Sequence, residues 1–174
     1  MTREQLQALQ APLKARYNAA PQAALVTLCA AGRLGEGISC SLETGKALAT
    51  AGLHPATGGN GLAACSGDML LEALVACAGV TCSAVATAIG VDIRSGTVRA
   101  EGDLDFRGTL GVAKDAPVGF TAIRLHFEFD TDAGEEQLAT LLRLTERYCV
   151  VYQTLRAPPQ FTIGRTATST KRTD

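Results

Sequence analysis

Residues 66–89 read SGDMLLEALVACAGVTCSAVATAI, and the architecture expected of this chain follows from them. Ser66 can cap a helix whose first turn holds Asp68, and no proline or turn signal interrupts the run before Gly90. The helix is apolar on nearly every side, and helices of this kind usually lie buried at the centre of a fold. The sequence therefore predicts a long central helix around which the other elements pack.

The segments on either side of this helix are typical of strands. Residues 24–29, 37–42 and 46–51 are short and are separated by glycine-containing turns, which suits an antiparallel meander. Residues 97–106 and 123–129 alternate apolar and polar side chains. This alternation predicts antiparallel strands with one solvated face each.

An amphipathic helix is predicted toward each end of the chain. Residues 3–18 carry leucines at helical spacing and precede Pro21. A last helix is expected to begin near Asp132, with Glu135 three residues on as a capping partner, and to run to about Tyr148. Each helix has one apolar face, which we expect to pack against the rest of the fold.

The chain is expected to form one domain. No internal repeat or linker-like composition divides its 174 residues. Residues 1–22 would be a helical extension, residues 160–164 a closing strand and residues 165–174 a frayed tail. The order helix, strands, long helix, strands, helix, strand predicts an α+β fold with antiparallel sheets.

Composition excludes several classes of function. The 16 Lys and Arg balance 17 Asp and Glu to a net charge of −1, which provides no basic surface for nucleic acid or for a polybasic membrane contact. The polar N-terminus does not resemble a signal peptide. The apolar stretch 69–80 carries Glu72 and is shorter than the roughly 20 residues that a bilayer requires. We expect a soluble cytoplasmic protein without nucleic-acid or membrane partners.

Six cysteines are the residues best able to carry chemistry. Reduced thiols fit this chain better than a disulfide scaffold, and most free cysteines are packing residues. Cys29 and Cys40 fall in predicted strands, whereas Cys65 adjoins the helix start, where the dipole can lower a thiol pKa. No Cys-x-x-Cys motif occurs, and His54 and His126 fall in a loop and on a solvated strand face. Zinc or another metal cofactor is therefore not expected.

Cys77 lies in the middle of the apolar helix, among small residues that leave room around its sulfur. Small neighbours also permit close helix packing, so a packing role is open as well. Cys82 points about 140° away from Cys77 on the same helix. Cys149 ends the last helix and continues its core-facing stripe, so its sulfur should point inward. Two inward thiols on two helices could form a disulfide if their α-carbons come within about 7 Å.

The run SGDMLLEALVAC at 66–77, followed about seventy residues later by a helix that ends in Cys149, resembles the OsmC and organic hydroperoxide resistance family. The resemblance in the order of elements covers residues 24–164, and the loop GLHPATGG at 52–59 resembles that of an uncharacterised branch. It implies an OsmC-like α+β fold made as an intertwined homodimer, with active sites at the dimer interface. An apolar pocket there would favour organic hydroperoxides.

The resemblance also implies roles for individual residues. In such peroxidases the helix cysteine, here Cys77, attacks the peroxide, and the later cysteine, here Cys149, resolves the sulfenic acid to a disulfide that an external dithiol reduces. No bound cofactor is implied. Family members supply an Arg from a Gly-Arg turn, which matches Arg33, and a Glu at the helix start to hold that Arg. This chain has Gly67 and Asp68 at the matching positions, so Asp68 is the candidate carboxylate.

Two other interpretations of the same residues stay open. Because the helix-start Glu is missing, the chain could be a non-catalytic member of the fold that binds an apolar small molecule at the dimer interface. All six cysteines could instead be packing residues of a structural dimer. Glu72 and Arg147 are the remaining charged candidates, and both are more typical of solvated or interface positions.

Overall fold

The structure is a computed structural model that describes residues 3–34, 40–42, 52–62 and 64–164. Its helices are α1 (Arg3–Ala19), α2 (Ser66–Ile89), α3 (Phe106–Thr109), α4 (Glu135–Tyr148) and α5 (Val150–Arg156), with 3-10 turns at Pro21–Ala24 and Pro55–Thr57. Its strands are β1 (Leu25–Leu34), β2 (Cys40–Leu42), β3 (Ser95–Asp105) and β4 (Ala122–Asp130). These strands form one antiparallel sheet in the order β2-β1-β3-β4. The predicted α+β fold is confirmed.

α2 is the centre of the fold. Cys65 occupies its N-cap, one residue earlier than the cap that the sequence predicts, and Ser66 is its first helical residue. The helix ends at Gly90, whose φ of 70° is left-handed, a conformation that glycine adopts because it lacks a Cβ. α2 packs on β1 and β3 and against α4 and α5. Its buried residues are Leu71, Leu74, Val75, Ala78, Gly79, Cys82, Val85 and Ala86.

α2 spans the residues 66–89 that the sequence predicts as one helix, and it is longer than the apolar stretch 69–80 within it. With 24 residues, α2 is long and apolar enough to cross a membrane by length and hydropathy alone. Its contacts with the sheet and with α4 and α5 are nevertheless those of a core helix. One stripe stays uncovered, since Met69, Leu70 and Val80 are 39%, 37% and 38% exposed.

β3 lies between β1 and β4 and follows the predicted alternation. The pairing of β1 with β3 runs from Leu25 opposite Asp105 to Arg33 opposite Thr97 without a bulge. The inward side chains of β3 are buried in the core and include Val98, Ala100 and Leu104. The burial of β4 alternates residue by residue along its length. Each strand therefore has one face toward α2 and one solvated face, as predicted.

Several predicted boundaries were wrong. The last helix begins at Glu135, behind Gly134, whose N–H donates to Gln137 Oε1 at 3.2 Å. Phe106, predicted to end a strand, begins α3 because the Asp105 carboxylate accepts the N–H of Arg107 at 3.0 Å. The segment 160–164 is irregular and not a strand. These differences come from local caps that the apolar pattern does not report.

Some predictions fall outside the described residues. The strand expected at 46–51 and the tail at 165–174 are among them. Of the strand expected at 37–42, the structure describes Cys40–Leu42. The packing roles expected for the side chains of Cys29 and Cys40 also fall outside the described part of the chain.

The buried residues form two clusters along α2. The larger cluster joins the N-terminal half of α2 to the sheet, to α1 and to Cys149. Within it, Tyr17 of α1 is fully buried, and its hydroxyl donates to the carbonyl of Ala56 at 2.7 Å. The smaller cluster joins the C-terminal half of α2 to α4 and contains Cys82 and Leu141. The larger cluster brings the middle of α2 next to the junction between α4 and α5.

Candidate functional site

Cys149 lies at the junction between α4 and α5. Its N–H donates to the carbonyl of Thr145 at 2.9 Å, which closes α4, and its carbonyl accepts the N–H of Gln153 at 2.9 Å, which opens α5. The backbone at Cys149 is extended, with φ −72° and ψ 109°. The chain therefore turns at this cysteine, and the first amides of α5 follow immediately after it.

Sequence reasoning missed α5, because it ended the last helix at about Tyr148. The sequence pattern that indicates α5 covers only a few residues. Val151 and Leu155 are four residues apart and Pro158 follows two residues after Arg156, which is a helical spacing followed by a stop. A helix of seven residues holds too few apolar positions for periodicity alone to identify it.

The Cys77 sulfur accepts hydrogen bonds from α5. The first N–H groups of a helix have no partner within that helix. In α5 the N–H groups of Val150 and Val151 donate to the Cys77 sulfur, whose other hydrogen-bond partners are the Cys149 thiol and the Thr81 hydroxyl. Burial raises the pKa of Cys77, but these four donors outweigh burial and hold the pKa below its ordinary value. A lowered pKa increases the fraction of thiolate, which is the nucleophilic form.

Cys149 has the opposite character. Its side chain is 1% exposed, and burial raises its pKa to about 11, although the N–H of Tyr152 donates to its sulfur at 3.4 Å. The neighbouring charge of Cys77 raises this pKa further. At neutral pH Cys149 is therefore a buried thiol that carries its proton, next to the partly exposed Cys77.

The other two cysteines with described side chains lie apart from this pair. Cys82 is fully buried in the smaller cluster beside Thr145, and burial raises its pKa to about 11, which suits a packing residue. Cys65 is partly buried in a groove that His54 and Leu70 also line. Within the described ranges, no group of three or more His, Cys, Asp or Glu is arranged to hold a metal ion.

The structure does not bring Arg33 to Cys77 within the chain. Side chains of a strand alternate between faces, so Arg33 shares its face of β1 with Thr27. The Thr27 hydroxyl donates to the Asp103 carboxylate at 2.7 Å on the exposed face, whereas α2 packs on the opposite one. Arg33 lines a separate groove of about 460 Å³ with Glu128.

Asp68 is also distant from Cys77. Nine residues separate the two, which places them on opposite faces of α2 and about 13 Å apart along its axis. Burial raises the pKa of Asp68, and the charge of His54 lowers it. The His54 ring in turn stacks on Phe106 with 5.0 Å between the ring centroids. Asp68 therefore belongs to the loop end of α2.

The remaining charged candidates stand apart from the thiols as well. Arg147 is exposed, and its guanidinium lies 5.4 Å from the ring centroid of Tyr148. Glu72 is partly buried and lies about 140° around α2 from Cys77. The partners that lower the pKa of Cys77 are thus neutral groups: two amides, a thiol and a hydroxyl.

An apolar groove of about 310 Å³ lies near the two cysteines, although neither Cys77 nor Cys149 is among its lining residues. Its walls come from α2, β4 and α5, and they include Leu74, Ile123 and Leu125, with Arg156 among the lining residues. Leu74 lies one turn before Cys77. Tyr152, whose N–H holds the Cys149 sulfur, lines the groove from the other side. A ligand with an apolar body could fill this groove next to the thiols.

Residues 58–164, more than half of the chain, match the family described as OsmC-like protein. The crystal structure of an OsmC-like protein from Mycoplasma pneumoniae superposes with a TM-score of 0.54 at 19% identity, covering 77% of this chain and 86% of that one. An OsmC-like hydroperoxide resistance protein from Jannaschia sp. CCS1 superposes with a TM-score of 0.57 at 16% identity, covering 86% and 97%. No curated protein sequence matches this chain. At these identities the two structures share the fold with this chain.

Proposed function

The chain belongs to the OsmC-like protein family, and we propose that it is a thiol-dependent peroxidase that reduces organic hydroperoxides with Cys77 and Cys149. The observation that carries the proposal is the sulfur pair, in which a partly exposed thiol of lowered pKa is hydrogen-bonded to a buried thiol of raised pKa. The shared fold of the hydroperoxide resistance protein from Jannaschia supports the same chemistry.

The reaction uses the two sulfurs in sequence. The Cys77 thiolate attacks one peroxide oxygen, so that an S–O bond forms, the O–O bond breaks and the leaving alkoxide takes up a proton to become an alcohol. The Cys149 sulfur then attacks the sulfenic acid, the S–S bond forms and water leaves. An external dithiol restores both thiols by exchange. Two electrons pass from the two sulfurs to the peroxide, and no bound cofactor takes part.

The oxidation of Cys77 in the first step makes Cys149 more reactive for the second. The charge of Cys77 is one cause of the raised pKa of Cys149. A sulfenic acid is neutral, so the oxidation of Cys77 removes that cause and lowers the pKa of Cys149. The resolving thiol thus becomes easier to ionise after the peroxide has reacted.

The apolar groove beside the sulfurs supports an organic substrate. Leu74, Ile123 and Leu125 offer hydrocarbon surface on which an alkyl group can be buried, and hydrogen peroxide has no alkyl group. Burial of a substrate's alkyl group there is worth about 25 cal/mol for each Å² removed from water. Organic hydroperoxides should therefore react faster than hydrogen peroxide.

We further propose that the protein is a cytoplasmic homodimer with its thiols next to the interface. Leu70 and Val80 are exposed on α2 and flank Cys77 on the same side of the helix. Such an uncovered apolar stripe on a core helix suits a contact with a second copy of the chain. A reducing compartment would keep the two thiols ready to react.

The test treats the purified protein with one equivalent of cumene hydroperoxide and counts free thiols. We expect the count to fall by two, with one disulfide joining Cys77 to Cys149 in peptide maps. Cys149→Ser should stop at a sulfenic acid on Cys77 that dimedone traps. Cys82→Ala, which changes a buried thiol of the smaller cluster, is the matched control and should still form the disulfide. An unchanged thiol count, or a loss of thiols that persists in Cys77→Ser, contradicts the proposal.

The second candidate function is a non-catalytic binder of an apolar small molecule. It is favoured by the apolar groove and by the positions of Arg33 and Asp68, which the protomer keeps away from Cys77. Under this candidate a linear alcohol raises the melting temperature, because a ligand of the folded state stabilises it. Cumene hydroperoxide would then leave the thiol count unchanged.

A further inference from the structure

Phe120 separates the groove beside the thiols from a second groove. Its side chain lines both. The second groove has a volume of about 400 Å³ and lies between the loop at His54, the start of α2 and Phe106. Leu70 lines the second groove and Leu74 the first, and these residues lie on successive turns of α2. α2 therefore forms a wall of both grooves on either side of Phe120.

The ring of Phe120 is held against the sheet. A Cβ at Gly102 would lie 2.5 Å from Phe120 Cε1, so the ring rests directly on the backbone of β3 where other inward positions carry side chains. The next residue, Thr121, donates its N–H at 2.9 Å and its hydroxyl at 3.1 Å to the carbonyl of Asp103. These contacts fix the backbone beside the ring. Phe120 is thus held in a fixed position between the two apolar grooves.

We propose that Phe120 determines the longest alkyl chain that the substrate can carry, an inference that rests on the proposed peroxidase function. The peroxide oxygens must reach the Cys77 sulfur, and the alkyl chain then extends along Leu74 into the first groove. A chain that ends at the Phe120 ring lies within the first groove. A longer chain must leave the groove or displace the ring, although each further methylene would gain from burial.

The experiment measures kcat/KM for a series of linear alkyl hydroperoxides of increasing length in wild type, Phe120→Ala and Phe120→Leu. Wild type should lose activity beyond a limiting length. Phe120→Ala should move that limit to longer chains and raise the ratio of longest to shortest substrate by about tenfold, since small changes in pocket size discriminate by this order. Phe120→Leu should lie between the two.

Phe129→Ala is the matched control. It also removes a phenyl ring from the sheet region, but Phe129 packs in the smaller cluster and lines neither groove. This variant should keep the chain-length dependence of wild type. Melting temperatures establish that each variant is folded. The same dependence on chain length in wild type and Phe120→Ala overturns the inference.

Binding of the corresponding linear alcohols separates the two hypotheses. If no variant reduces any hydroperoxide, the proposed function has failed, and the shift in melting temperature against alcohol length then decides the role of Phe120. A longer optimum in Phe120→Ala supports the partition. Equal profiles, or the absence of both turnover and binding in every variant, overturn it.

Discussion

Replacing Val150 with proline should raise the pKa of Cys77 without breaking α5. Val150 is the first residue of α5, where proline is well tolerated because the N–H lacks an intrahelical partner. The preceding Cys149 already has the extended backbone that a residue before proline prefers. The substitution therefore removes one hydrogen-bond donor from the Cys77 sulfur and leaves the other three in place.

The expected rise in the pKa of Cys77 follows from the strength of the hydrogen bond that is lost. A hydrogen bond to a charged group is worth about 1.5 to 3 kcal/mol. The Val150 amide contributes least among the four donors, so the low end of this range applies. Because one pKa unit corresponds to about 1.4 kcal/mol, we expect the pKa of Cys77 to rise by about one unit. At a pH below both values, the thiolate fraction then falls about tenfold.

The assay follows the alkylation of Cys77 by iodoacetamide against pH, with the modified peptide measured by mass spectrometry. The midpoint of the rate profile reports the pKa of Cys77. Val150→Ala is the matched control, since it retains the N–H and truncates a side chain that is 71% exposed. An unchanged midpoint in folded Val150→Pro would refute the assignment of the α5 amides as a cause of the lowered pKa.

Three further predictions concern stability. The free energy of unfolding should fall as the pH rises from about 9 to 11, because Cys82 and Cys149 keep their protons in the folded state after unfolded thiols have ionised. In urea titrations at pH 11, Cys82→Ala should lose less of this free energy than wild type, by up to about 2 to 3 kcal/mol. An identical loss in both proteins contradicts the prediction. Tyr17→Phe removes the 2.7 Å hydrogen bond to Ala56 and should cost about 1 to 2 kcal/mol in urea unfolding, whereas Tyr148→Phe, at an exposed position, should cost less than about 0.5 kcal/mol. Gly102→Ala should cost about 1 to 3 kcal/mol by forcing a methyl group against Phe120, and the cost should shrink in a Phe120→Ala background; additive costs would show that the two positions are independent.

The sequence predicted the elements whose evidence is local. The apolar run of α2 has no proline or turn signal over its length, and the alternation of β3 and β4 has the two-residue period of a strand, so no tertiary information was needed. Helix phase likewise predicted that the sulfur of Cys149 points inward, and its side chain is buried. The capped boundaries at Glu135 and Phe106 were missed, since single hydrogen bonds set them.

The sequence by itself determined the class of the fold, its central helix and the inward position of the Cys149 thiol. Only the tertiary structure decided which thiol has the lowered pKa, because the pKa of a thiol depends on burial and on donors that lie elsewhere in the chain. Cys77 and the amides of Val150 and Val151 are about seventy residues apart, and the packing of α2 against α5 brings them together. The same packing places Phe120 between two grooves and leaves Arg33 on the far face of the sheet.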